Sequence, residues 1–147
     1  MGYVEQNLMP GEKVTYRATL HWIIYVVPVL LGVLGLILLL SPPFVGFGVG
    51  VLVVSGFLAL SRWITARTSE FAVTNKRVII KVGLIRRHTL ELLLSKVEII
   101  GVDQGMTGRI VGYGSIVVIG TGGTKEPFKN IAAPLEFRKQ VQAHAVA

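Results

Sequence analysis

Apolar and polar residues follow two different rhythms along this chain. From Trp22 to Leu60 no Asp, Glu, Lys, Arg or His occurs. From Thr68 onward, short apolar runs alternate with polar residues and are punctuated by turn residues. The first rhythm predicts membrane-spanning helix and the second predicts strand.

The apolar region reads "WIIYVVPVLLGVLGLILLL", Trp22 to Leu40, then Ser41-Pro42-Pro43, then "FVGFGVGVLVVSGFLAL", Phe44 to Leu60. On the α-helical rise these runs extend about 28 Å and about 25 Å, close to the hydrocarbon thickness of a bilayer. Proline lacks an N–H and disfavours helix in the residue before it, so the first helix should end near Leu40. The expected organisation is an N-terminal segment over residues 1–21, a transmembrane hairpin over 22–61 and a further domain over 62–147. A cleaved signal peptide is not expected, because a polar segment precedes the first span and no small-residue cleavage site follows it.

Charge orients the hairpin. Lys13 and Arg17 precede the first span, Arg62 and Arg67 follow the second, and the connecting loop carries no charge. The positive-inside bias places both termini in the cytoplasm. Trp22 and Trp63 then fall at the same interface as membrane anchors. Glycines are dense in the spans. Gly32, Gly35, Gly46 and Gly50 are candidate helix-packing positions, with Gly46 and Gly50 forming a G-x-x-x-G. That motif suits packing within the hairpin or packing between subunits. Neither span holds an ionisable residue, so the pair reads as an anchor or assembly element, not a transport path.

The alternating region predicts strands and one closing helix. Phe71 and Val73 share a face of the first strand. After a turn at Thr74-Asn75-Lys76, Val78, Ile80 and Val82 share one face of the second and Arg77, Ile79 and Lys81 the other. "LIRRHTLELLL" is expected as a third strand with a bulge. "VEIIGVDQ" and "SIVVIG" follow as strands, with "GMTGRIVGYG" between them holding at most one helical turn. Thr121-Gly122-Gly123-Thr124 should form a hairpin loop leading to a short sixth strand, "TKEPF". Pro134 suits the first position of a helix in which Phe137, Val141 and Ala145 make an apolar stripe.

Composition adds two constraints. The formal net charge is +7, which fits nucleic acid or an anionic lipid surface. Spans beside the charge favour lipid, and no nucleic-acid partner is expected. There is no cysteine, which excludes disulfides and thiolate metal sites. Lys76, Arg77, Lys81, Arg86 and Arg87 are the candidate contacts for anionic lipid or a partner.

No catalytic constellation is expected, and no metal or cofactor. "GTGGTKE" lacks the Gly-Lys-Ser/Thr order of a phosphate loop. His21, His88 and His144 are scattered, and Asp103 is the sole aspartate. Ser69 and Ser115 have no recognisable base partner.

The segment "FAVTNKRVIIKVGLIRRHTLELLLSKVEIIGVDQGMTGRIVGYGSIVVIGTGG" resembles the bacterial PH-like domain of membrane proteins, formerly a domain of unknown function. The "TNKR" turn, "GLI", "LLLSKVE" and "GRIVGYGSIVV" carry the resemblance, and "YVEQNLMPGEKVTYRATLHWIIY" resembles the segment before the spans in such proteins. The resemblance implies a membrane-anchored α+β protein: two transmembrane helices, then a PH-like antiparallel β-barrel or sandwich capped by a C-terminal helix. It also implies a bacterial inner-membrane location. The expected role is a non-enzymatic, homo-oligomeric interaction platform. A sensor of anionic headgroups and an accessory subunit of a transport or stress-response complex are the alternatives. The short Thr74-Asn75-Lys76 turn argues against a deep headgroup pocket there.

Overall fold

A computed structural model describes residues 2–123 and 125–146; Thr124, expected in the hairpin loop, lies outside them. The chain forms two compact units, one of Met1–His21 with Thr68–Ala147 and one of Trp22–Arg67.

The second unit is a helical hairpin. A 3-10 turn at Trp22–Tyr25 leads into α2, Val26–Leu39, and a 3-10 turn at Pro42–Phe44 leads into α3, Val45–Thr68. Both helices are long and apolar enough to cross a membrane by length and composition. The prolines end α2 where expected. The expected boundary at residue 61 is displaced, because "SRWITART" has no helix breaker and α3 runs on to Thr68.

The first unit is a β structure with seven strands among the described residues. Here β1 is Val14–Ala18, β2 Glu70–Thr74, β3 Arg77–Val82, β4 His88–Leu93, β5 Val97–Asp103, β6 Tyr113–Gly120 and β7 Lys125–Ala132. They form two antiparallel sheets, ordered β1-β2-β3-β4 and β5-β6-β7. The sandwich expectation fits this better than the barrel, since no closed barrel is seen among the described residues. A cleft of about 280 Å³ opens between Leu90 and Leu92 of β4 and Val118 and Gly120 of β6.

The expected N-terminal segment is not separate from this unit. It supplies a short helix α1, Tyr3–Gln6, and the strand β1. Strand β1 pairs with β2 through Ala18 opposite Phe71 and Arg17 opposite Ala72. The hairpin is therefore spliced between two neighbouring strands of one sheet.

Alternation places the core. Phe71, Val73, Val78 and Ile80 meet Ile116, Val118, Phe128 and Ile131 between the sheets, and Phe137 and Val141 of α5, Pro134–Ala145, close the core. The other face of the first sheet is covered too. Val4 of α1 packs with Ala72 and Ile79, flanked by Tyr3, Leu8 and Val14. This is why Ile79 is buried although alternation puts it on the outer face.

Three expected elements differ. The strand expected as the short "TKEPF" runs on to Ala132 as the eight-residue β7. The third strand begins only at His88, and residues 84–87 are loop. Gly83 has φ +87, and a Cβ there would lie 2.6 Å from the Arg86 carbonyl oxygen, so the chain turns at that glycine. The glycine-rich segment holds a six-residue helix α4, Met106–Val111, longer than one turn.

Candidate functional site: basic, aromatic and glycine surfaces

The five basic residues expected to form one contact face are divided by the strand register. Glu70 pairs with Lys81, and Val73 with Val78. Lys76 and Arg77 thus lie at the end of the first sheet remote from Glu70. Lys81 and the loop with Arg86 and Arg87 lie at the end where β2 begins.

Arg77 is a correction to the expected contact set. It is 6% exposed, because the N-terminal segment crosses the sheet face from which it projects. Its Nε donates to Glu12 Oε1 at 3.0 Å and its Nη1 to Glu91 Oε2 at 2.5 Å, while Nη2 donates to the Asn7 carbonyl. Burial by itself would raise the Glu12 carboxyl. The Met9 amide, the Thr74 hydroxyl and Arg77 outweigh it and hold Glu12 below the ordinary glutamate value. The hydrogen bond from Arg77 to Glu12 in turn raises the guanidinium, against a smaller effect of burial. Arg77 is a buried cation whose donors are taken up within the β unit.

Lys76 and Lys81 are also engaged. Lys76 Nζ donates to the Pro10 carbonyl at 3.0 Å, and Lys81 Nζ lies 5.1 Å from the centre of the Tyr3 ring. Arg86 and Arg87 are exposed. Sequence reasoning missed Glu12, whose signal was the alternation of Val14, Tyr16 and Ala18 just after it. A strand there implies that the preceding residues belong to the sheet.

In the hairpin the glycines also divide. A Cβ at Gly35 would lie 2.8 Å from Leu52 Cγ, and one at Gly48 would lie 3.0 Å from the Gly35 carbonyl oxygen. Gly32 faces Ser55, whose hydroxyl donates to the Pro28 carbonyl at 2.7 Å. The internal helix contact is thus Gly32 and Gly35 against Gly48, Leu52 and Ser55. Gly46 and Gly50 have open space at the Cβ position, so the G-x-x-x-G does not pack the hairpin on itself. They line an outward groove of about 420 Å³ with Leu31, Phe47, Val51 and Val54. Leu52 and Ser55 stand four and seven residues after Gly48, on one face of α3, a spacing that the G-x-x-x-G obscured.

Trp22 and Trp63 are 58% and 50% exposed, and the Arg67 guanidinium lies 5.6 Å from the centre of the Trp63 ring. His88 Nε2 lies 2.9 Å from Glu126 Oε2, joining β4 to β7 across the two sheets. Among the described residues no cluster of three His, Asp or Glu side chains could hold a metal ion.

A family model described as "Bacterial PH domain" matches residues 20–145. The match begins after β1. No curated protein and no solved structure matches the chain.

Proposed function

From the premise that this chain belongs to the bacterial PH domain family, we propose that it is a membrane-tethered interaction module held at the cytoplasmic face of a bacterial membrane. Membership supports a generic interaction or lipid-binding role, and PH-like domains are generally non-catalytic.

The observation that carries the tether is the splice of the hairpin between β1 and β2. Ala18 and Phe71 are paired neighbours and Leu20 bridges to Ile131 of β7, so the chain is held in the β unit on both sides of the hairpin. A bilayer crossed by such an insert must be crossed an even number of times. Two spans satisfy this, and the basic flanks favour a β unit on the cytoplasmic side. The outward faces of the helices fit lipid. Phe47, Val53 and Phe57 are 68%, 67% and 72% exposed, an apolar surface too extensive to leave in water.

Assembly into a homo-oligomer is the second part of the proposal. The outward groove at Gly46 and Gly50 has the small residues that let a second apolar helix approach closely. A helix of a larger transport or stress-response complex is the competing occupant, and a mass measurement of particles in mild detergent separates the two.

Excision tests the tether. Replacing residues 22–67 by a short Gly-Ser turn should join β1 to β2 without moving either strand. The shortened protein should leave the membrane fraction for the soluble one and keep its β-type circular dichroism. Folded protein that still sediments with membranes would place the anchor elsewhere.

A further inference from the structure

The loop between β3 and β4 reads Gly83-Leu84-Ile85-Arg86-Arg87. Ile85 is 100% exposed and Leu84 48% exposed, with two exposed arginines directly after them. An isoleucine completely open to water at a loop tip gains nothing for the fold. Its neighbours Val82 and Gly83 are partly covered, so the exposure begins where Gly83 turns the chain outward.

Position separates this loop from other exposed apolar residues. Met106 and Ile110 on α4 are each 85% exposed but have a single arginine, Arg109, between them. The 83–87 loop lies at the tethered end of the first sheet. Lys81 is level with Glu70, and Glu70 stands two residues after the end of α3. Strand β3 ends one residue beyond that level, at Val82, and the loop follows directly. The loop therefore projects from the sheet end to which the hairpin is joined.

We propose that this loop is a membrane wedge: Leu84 and Ile85 enter the interface of the bilayer while Arg86 and Arg87 engage anionic lipid phosphates. The inference rests on the hairpin crossing that bilayer. The partition of roles follows from chemistry. Aliphatic side chains gain by leaving water. Guanidinium groups pair with phosphate oxygens in a forked geometry and need not leave the headgroup layer. No headgroup pocket is required, so the contact should select charge and not one particular lipid. The Thr74-Asn75-Lys76 turn takes no part, because it lies at the opposite end of the sheet.

The test uses the full chain, reconstituted in phosphatidylcholine vesicles with and without phosphatidylglycerol. The chain has no cysteine, so single substitutions carry an environment-sensitive fluorophore at one site each. Ile85→Cys reports the loop, Val53→Cys the lipid-facing side of α3, and Lys139→Cys an exposed position on α5. With phosphatidylglycerol present, the probe at 85 should be quenched by lipids labelled near the headgroup several-fold more than the probe at 139. It should also be shielded from aqueous iodide. Without phosphatidylglycerol, or with Arg86→Gln and Arg87→Gln added, its lipid quenching should fall, by roughly fivefold per lost arginine contact in binding constant. Equal iodide access at 85 and 139 would overturn the wedge. Shielding at 85 without lipid quenching would also overturn it, and would assign the loop to a protein partner. Loss of deep-lipid quenching at 53 would instead defeat the hairpin reading, so the two failures are distinguishable.

Discussion

In the hairpin, glycine and serine face the partner helix while Phe47 and Phe57 face outward. In the β unit, Phe71, Phe128 and Phe137 are buried and Lys125, Lys129 and Lys139 face outward. The same residue types change sides within one chain of 147 residues. If the hairpin crosses a membrane as proposed, the physical reason is the solvent. Water drives phenyl rings inward. Hydrocarbon gives them no such drive, so helices associate through close backbone approach and the occasional interhelical hydrogen bond. Gly35 against Gly48, and Ser55 on the Pro28 carbonyl, are that kind of contact.

Polar groups sharpen the contrast. The β unit buries a charged pair, Glu12 with Arg77, whose side chains are 0% and 8% exposed. The hairpin has no ionisable residue between Trp22 and Leu60. The first region can meet the cost of desolvating a charge because Thr74, Met9, Asn7 and Glu91 complete the hydrogen bonds.

The comparison can be broken at several points. The largest effects should come from the β unit. Phe137→Ala should cost about 3–5 kcal/mol, since the ring is wholly buried in a close-packed core. Arg77→Met should cost a similar 3–5 kcal/mol, because it strands Glu12 beneath the N-terminal segment. Denaturant unfolding in detergent, followed by circular dichroism, measures both. A loss below about 1 kcal/mol for either would mean that the side chain is not packed as described.

Within the hairpin the effect should be smaller and should depend on the face. Gly48→Leu should cost about 1–3 kcal/mol by forcing α2 and α3 apart. Gly50→Leu should leave the hairpin's own stability unchanged and lower only the particle mass, if copies meet at the outward groove. Equal behaviour of the two variants would erase the distinction between inner and outer faces.

Acid should act on the β unit selectively. Glu12 is held below its ordinary value of 4.5, so its ionised form stabilises the fold at neutral pH. That contribution is complete above the unfolded value and is lost as pH falls through the folded one. Stability of the β unit should therefore decline below about pH 4.5, and Glu12→Gln should flatten that part of the profile. An unchanged acid profile in the variant would show that Glu12 is not the group responsible.

Much of this was legible in the sequence, for reasons that differ between regions. The two long apolar helices were legible because charge is absent over so long a run. The Phe137 and Val141 stripe and the Val78 and Ile80 face were legible because water enforces periodicity. The Arg77 environment was not. Its partner Glu12 is 65 residues away, and the alternation that follows Glu12 marks a strand without saying which sheet face residues 2–13 cover. The loop at Leu84 and Ile85 was hidden for the opposite reason. Its apolar residues mimic a strand, and only the positive φ of Gly83 removes them from the ladder. The G-x-x-x-G drew attention to Gly46 and Gly50, whereas the glycine of α3 packed against α2 is Gly48, because a motif gives spacing and not direction.

The central claim is that the hairpin crosses a membrane with the β unit on the cytoplasmic side. Single cysteines at Ser41, in the connecting loop, and at Lys139, exposed on α5, test it in intact cells. A membrane-impermeant maleimide should label Ser41→Cys from outside, and Lys139→Cys only after the membrane is opened. Labelling of both positions from the same side would contradict the account.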